Sequence, residues 1–256
     1  MVSELRGQVA LVTGGGAGLG RAIAQEMARA GAAVAVLDID EMAATQTAKL
    51  VEDAGGTARA YRCDVGLRAE VDGAWDAVAA DLGRLDIVVN NAGVSFVGPH
   101  IIDTTDEVWH KSIDVMQHGV FYGMRAAARH MLPQHSGSVV TISSIRGFSS
   151  NPGRIAYCAA KAAVIMMTRV AAAEWGRFGV RANAIAPGVQ RTPMWEEDAA
   201  KGAVDEPGVL RACPAGRLGE PAEVGRLAVF LSSADAAYIN GSCVTIDGGL
   251  TTVPVG

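Results

Sequence analysis

Short, wholly apolar runs alternate with longer alanine-rich stretches along the whole of this 256-residue chain. Val9-Ala10-Leu11-Val12 and Ile87-Val88-Val89 carry no polar residue on either face of a two-residue repeat. A strand with one wet face alternates apolar and polar residues. A strand apolar on both faces belongs in a parallel sheet covered by helices. The pattern predicts strands at Gln8–Thr13, Ala33–Leu37, Thr57–Arg62, Asp86–Asn90, Ser138–Ser143, Arg181–Ala186 and Cys243–Ile246. Helices are predicted at Gly18–Ala30, Glu41–Ala54, Leu67–Leu82, Thr105–Met131, Ala156–Arg177 and Ala222–Leu231. The long fourth helix should stop before Pro133, where a helix loses a donor and meets a clash. Strands alternating with helices place the chain in the α/β class, as a single doubly wound parallel sheet with helices on both faces. No Pro/Ser-rich linker divides it, so residues 1–256 read as one domain. Pro187–Pro214 lacks a pattern, and so long a connection is usually functional; a substrate lid is expected over about 188–214.

Composition removes other classes. Half the residues are hydrophobic and 19% are charged, which excludes disorder. The net charge is −5 and no Lys/Arg cluster stands out, so no nucleic-acid partner is expected. Cys63, Cys158, Cys213 and Cys243 lie far apart without metal-type spacing; free thiols, a reducing compartment and no metal are expected. No leader-like core and no run of about 18 apolar residues is evident, which points to a cytoplasmic chain with no membrane partner. Glycine, at 31 residues, exceeds the usual share of about 7%.

The excess concentrates in Thr13-Gly14-Gly15-Gly16-Ala17-Gly18-Leu19-Gly20, between the first strand and first helix. Glycine allows the tight turn and the close approach of backbone to a pyrophosphate. The helix N-terminus beyond it offers unpaired N–H groups. Asp38 ends the second strand, where a carboxylate can accept bonds from an adenosine ribose and repel a 2′-phosphate. Asp40 could instead be the helix cap. No Arg or Lys stands between Ala30 and Lys49, and Arg21 lies a turn into the helix. NAD is therefore favoured over NADP.

Among Tyr61, Tyr122, Tyr157 and Tyr238, only Tyr157 has a lysine four residues on, Lys161, one helical turn away on the same face. A free tyrosine, pKa about 10, is a poor base at neutral pH; a neighbouring cation favours the phenolate. Ser144 ends the preceding strand, and doubly wound sheets bind ligands at strand carboxyl ends.

These residues resemble the short-chain dehydrogenase/reductase family, and the likeness covers essentially the whole chain. Thr13-Gly14 with Gly18 and Gly20 is similar to the family's glycine loop, and Asn90-Asn91-Ala92-Gly93 to its N-N-A-G. Ser144, Tyr157 and Lys161 match its S…Y-x-x-x-K spacing. Pro187-Gly188 through Thr192 resembles its P-G-x-x-x-T, and Asn240-Gly241 with Asp247-Gly248-Gly249 its C-terminal signature. The resemblance implies that Tyr157 exchanges a proton with the substrate oxygen and that Ser144 holds that oxygen. Lys161 would hold the nicotinamide ribose and lower the pKa of Tyr157. Gly14, Gly16, Gly18, Leu19, Asp38, Asp64, Val65, Asn90, Pro187, Val189 and Thr192 would contact the cofactor together with Tyr157 and Lys161. One residue departs from the family: its usual fourth catalytic group, an asparagine before Ser144, falls on Met116, whose thioether is at best a weak acceptor.

The family layout would turn Ser95, Phe96, Arg146, Phe148, Arg154, Met194 and Trp195 toward the substrate, with Arg154 able to bind an anionic tail. The implied function is NAD-dependent interconversion of a secondary alcohol and a ketone. Two alternatives stand beside it: reduction of a carrier- or CoA-linked ketone, and a catalytically weak NAD-binding sensor or scaffold. The implied partner is a small alcohol or ketone, and the implied assembly a homotetramer or homodimer through the helices bearing Phe121–Met131 and Ala156–Arg177.

Overall fold

The computed structural model describes residues 4–94, 96, 100–200, 202 and 204–252. The elements run β1 (Val9–Thr13), α1 (Gly18–Arg29), β2 (Ala33–Asp38), α2 (Glu41–Asp53), β3 (Thr57–Arg62), α3 (Arg68–Leu82), β4 (Ile87–Asn90). They continue as α4 (Asp106–Ile113), α5 (Gly119–Gln134), β5 (Gly137–Ile142), α6 (Ile155–Trp175), β6 (Val180–Pro187). Last come α7 (Pro193–Ala200), α8 (Glu206–Ala212), α9 (Pro221–Ser232) and β7 (Cys243–Ile246). The seven strands form one parallel sheet in the order β3-β2-β1-β4-β5-β6-β7.

The apolar runs are explained by two cores. Val9, Leu11, Val88 and Val139 turn to the layer of α3, α5 and α6, where Trp75, Met124, Met131 and Val164 are buried. Ala10, Val12, Ile87 and Val140 turn the other way, onto Ile23 and Met27 of α1 and Val224 and Leu231 of α9. Successive strand residues meet opposite helical layers, so neither face tolerates a polar stripe.

Three expectations need correction. The single helix over Thr105–Met131 is two helices joined by a π-helical turn at Asp114–His118, and α5 continues through Pro133 to Gln134. Pro133 falls in the last turn, where only one helical bond is forfeited before His135 ends the helix at φ +52°. The unpatterned Pro187–Pro214 stretch carries α7 and α8. Proline at the first position starts α7, and the Asp205 carboxylate accepts the Gly208 N–H to cap α8. Finally, Ile155–Phe178 is long and apolar enough to cross a membrane by composition. In the fold it packs on β6 and in the α5 layer, with Lys161 buried along it, as a core helix does.

The carboxyl ends of β1 and β4 meet at the point where chain order reverses, which opens a cleft there. The Thr13 Oγ1 accepts the N–H groups of Asn91 (3.0 Å) and Ala92 (3.1 Å). Asn91 Nδ2 donates back to the carbonyls of Thr13 (2.9 Å) and Gly14 (3.2 Å). Glycine is obligatory on both sides of this knot. Gly14 sits at φ +62°, and a Cβ on Gly20 would stand 1.9 Å from the Gly14 carbonyl oxygen. Gly20→Ala is expected to lower the unfolding free energy by about 2 kcal/mol or more through overpacking against rigid backbone. Urea titration with an unchanged m-value would measure it; wild-type stability would overturn it.

Candidate active site

A cleft of about 1790 Å³ runs along the carboxyl edge of the sheet. Gly14, Gly18, Leu19 and Asp38 line one end, with Asp64 and Val65 beside them. Ser144, Tyr157 and Lys161 line its middle with Pro187, Val189 and Thr192, and Arg146, Phe148, Arg154 and Trp195 also reach it.

Asp38 is shaped by its neighbours. One carboxylate oxygen accepts the Gly16 N–H at 2.9 Å and the other accepts the Asp40 N–H at 3.0 Å. Asp40 itself caps α2 through the N–H groups of Met42 and Ala43, which leaves Asp38 at the cleft. Arg21 turns beneath the loop, where its Nε donates to Thr47 Oγ1 at 3.0 Å and its Nη2 donates to the Gly16 carbonyl. The nearest helical cation therefore braces the loop from behind.

The central trio is set by the end of β5 and one face of α6. Ser143 Oγ donates to the Lys161 carbonyl at 2.7 Å and pins the helix to the strand. Ser144 Oγ accepts the Arg146 N–H at 3.1 Å, which leaves its own O–H to donate to the Tyr157 phenol. Burial raises the phenol above the ordinary tyrosine value; the Ser144 hydrogen bond and the charges of Arg154 and Arg146 pull it down by less. Lys161 Nζ lies 5.7 Å from the Tyr157 ring centre and donates to the Ile142 carbonyl at 2.8 Å. Burial pushes the Lys161 ammonium down to about 8.

Other expected residues sit elsewhere. Gly16 faces Asp38 rather than the cleft; a Cβ there would stand 2.8 Å from its carboxylate. Asn90 is buried behind β4 with its side chain against Gly123, and its neighbour Asn91 lines the cleft instead. The last strand residue points into the helical layer and the next one out, a two-residue alternation that could have told them apart. Phe96 is half-buried and does not line the cleft. Ser95 and the Met194 side chain lie outside the described residues. Met116 is buried in the π-helical turn with its sulfur against Gly93, off the cleft wall. Residues that motif reading missed include Gln190 on the cleft wall, and Val204, Val209 and Ala212 on or beside α8. Trp195 Nε1 donates to Glu206 Oε2 at 3.2 Å and joins α7 to α8.

The donor set fits a dinucleotide. A glycine cradle that a Cβ would fill adjoins a carboxylate at one end, and a buried Ser-Tyr-Lys trio stands further along the cleft. Residues 14–251 match the family model described as enoyl-(acyl carrier protein) reductase. The chain is 35% identical to a 2-(S)-hydroxypropyl-CoM dehydrogenase of Xanthobacter autotrophicus, covering 99% of this chain and 100% of that one. A short-chain type dehydrogenase/reductase from Mycobacterium marinum superposes with TM-score 0.92 at 36% identity over 98% of both chains. A gluconate 5-dehydrogenase from Burkholderia cenocepacia, solved with NADP and tartrate, superposes with TM-score 0.91 at 36% identity over 98% of both.

The low Lys161 pKa has a thermodynamic consequence. The unfolded lysine titrates near 10.5, so between about 8 and 10.5 the unfolded chain binds more protons and stability rises with pH. Relative to Lys161→Met, the wild type should gain stability across that window, by up to about 3 kcal/mol. Denaturant titrations at stepped pH test this; a difference independent of pH would overturn it.

Proposed function

The chain belongs to the short-chain dehydrogenase/reductase family, and on that premise we propose that it is an NAD-dependent oxidoreductase interconverting a secondary alcohol and a ketone. The observation that carries this reading is the Ser144–Tyr157–Lys161 trio in the same cleft as Asp38 and the glycine loop. A nicotinamide held in this cleft would supply the hydride acceptor for alcohol oxidation and the hydride donor for ketone reduction. Tyr157 takes the hydroxyl proton as the carbonyl forms, and gives it back in reduction. Ser144 donates to the same oxygen and fixes its position. Lys161 would hold the ribose beside Tyr157. Gly14, Gly18, Leu19, Asp64 and Val65 would hold the remaining dinucleotide, with Pro187, Val189 and Thr192 at the amide end.

NAD over NADP is supported by the Asp38 carboxylate on the cleft wall and by the engagement of Arg21 beneath the loop. Arg154 and Arg146 reach the cleft with their charges near Tyr157, which suits an alcohol carrying an anionic group. The reading extends to a cytoplasmic chain that assembles as a homotetramer or homodimer; the exposed apolar residues Phe121 on α5 and Met166 and Val170 on α6 support the assembly. A monomer in light scattering would refute the assembly.

A panel of neutral and acidic alcohols and ketones, including a carrier-linked ketone, assayed with NAD and NADP by nicotinamide absorbance, tests the activity. Tyr157→Phe should lower kcat by a factor of about 100 or more. Asp38→Ala should raise the NADP-to-NAD ratio of kcat/KM roughly tenfold, or about 1.4 kcal/mol. Tight NAD binding without turnover across the panel would favour a sensor or scaffold instead.

The pH profile is a separate test. Alcohol oxidation needs the phenolate, so the rate should climb with pH on the alkaline side. Arg154→Ala removes a charge that lowers the phenol, so its profile should shift to higher pH. The same variant should raise KM for acidic alcohols more than for neutral ones. A profile and KM values matching wild type would rule the arginine out.

A further inference from the structure

The helices α7 and α8 have eight and seven residues, and helices this short are marginal unless contacts outside them hold them. Among the described residues neither helix packs broadly on another element, and none of their described residues is buried. Each is tethered at one end. At the start of α7, Thr192 Oγ1 accepts the Trp195 N–H at 3.3 Å and the Thr192 carbonyl accepts the Glu196 N–H at 2.9 Å. Beyond the end of α8, Cys213 is buried and the Ala215 N–H donates to the Gly248 carbonyl at 3.0 Å. Between these anchors Trp195 Nε1 donates to Glu206 Oε2 at 3.2 Å, which joins the first turn of α7 to the first turn of α8.

The two partners stand differently to the cleft. Trp195 lines it, and so do Val204 before α8 and Val209 and Ala212 within it. These side chains form an apolar wall in the cleft that also holds Tyr157. Glu206 does not line the cleft, so any effect it has there passes through Trp195. An indole is large and flat with a single polar handle, its N–H, and the acceptor that N–H finds fixes the plane of the ring. A carboxylate is a strong acceptor for this purpose. Without it the backbone of Trp195 stays tied to Thr192, while the ring is free to change rotamer on a helix that little else holds.

We propose that Glu206 is a positioning residue for the alcohol: by accepting the Trp195 N–H it holds the indole in an apolar wall on which the carbon skeleton of the substrate packs. This rests on the cleft binding an alcohol beside a nicotinamide dinucleotide. The reacting oxygen is left to Ser144 and Tyr157, so losing the latch loosens the alcohol and spares both the chemical step and the dinucleotide.

Glu206→Leu removes the acceptor at similar size, and Trp195→Phe removes the donor and keeps an aromatic ring. Each should raise KM for the best alcohol roughly three- to tenfold, the scale of one hydrogen bond. Both kcat and the Kd for NADH should stay near wild type. Glu206→Gln keeps an acceptor and should recover most of the loss. Adding Glu206→Leu to Trp195→Phe should raise KM no further, because the bond is already gone. Acrylamide quenching of tryptophan fluorescence reads the latch without turnover: in the ligand-free protein, Glu206→Leu should increase the share of quenching that Trp195→Phe removes. Unchanged KM in both single variants, an equal effect of Glu206→Leu with and without Trp195, or unchanged quenching would each overturn the proposal. So would a fall in kcat or a rise in the NADH Kd as large as the KM change, which marks a general loosening of the fold. A wild type that binds NADH and turns over no alcohol or ketone would overturn the functional reading and the alcohol's part in this one, while quenching would still decide whether Glu206 holds Trp195.

Discussion

Everything at the cleft depends on how closely two backbones approach at the ends of β1 and β4. The Thr13 hydroxyl accepts two amide protons from the Asn91-Ala92 turn, and Asn91 donates to two carbonyls of the glycine loop. Four hydrogen bonds thus fix the loop against the neighbouring strand with no side chain at Gly14 or Gly20 to hold them apart. The sheet order reverses here, so α1 and α5 leave on opposite faces and the space between the strand ends stays open. The loop is held further by the Gly15 N–H donating to the Leu37 carbonyl at 2.9 Å and the Gly16 N–H to Asp38 at 2.9 Å, so its backbone is fixed before any ligand arrives.

Electrostatics divide the cleft into two regimes. At the Asp38 end the carboxylate accepts two backbone amides and lines the wall. Around Tyr157 burial dominates: it lifts the phenol and lowers the Lys161 ammonium, so both residues lean toward their neutral forms. Arg146 and Arg154 oppose that trend for Tyr157. Lys161, brought down to about 8, is thereby held closer to neutral pH than an ordinary lysine, as suits a residue in an acid–base site.

The sheet was legible in the sequence because apolar runs such as Val9-Ala10-Leu11-Val12 have only one arrangement in which both faces are dry. The trio was legible because Tyr157 and Lys161 are one turn apart on a helix, a local spacing. What was lost depends on tertiary context. Asn90 and Asn91 are chemically identical, and only the last register position of β4 decides which is buried. The π-helical turn at Asp114–His118 leaves no compositional mark, since its residues are ordinary helix formers. The helices α7 and α8 are too short for a periodic pattern, and the start signals they carry, Pro193 and Asp205-Glu206-Pro207, are passed over as loop.

The two ends of the sheet treat buried polar groups differently. At the amino end, Asp86 is buried and fully occupied: it accepts the Val9 N–H at 2.9 Å and takes Arg84 in a two-pronged ion pair at 2.7 Å. At the carboxyl end, Asn90 closes β4 and Thr141 sits one residue from the end of β5, each with an unpartnered atom. Lys161 and Gln190 are also at this end, one with a depressed pKa and the other with a buried Oε1 that has no partner among the described residues. Both ends share the same strands and the same two cores, so packing alone does not account for the difference. A fold under selection for stability alone would satisfy both ends alike; of these four carboxyl-end residues, Lys161 and Gln190 line the cleft.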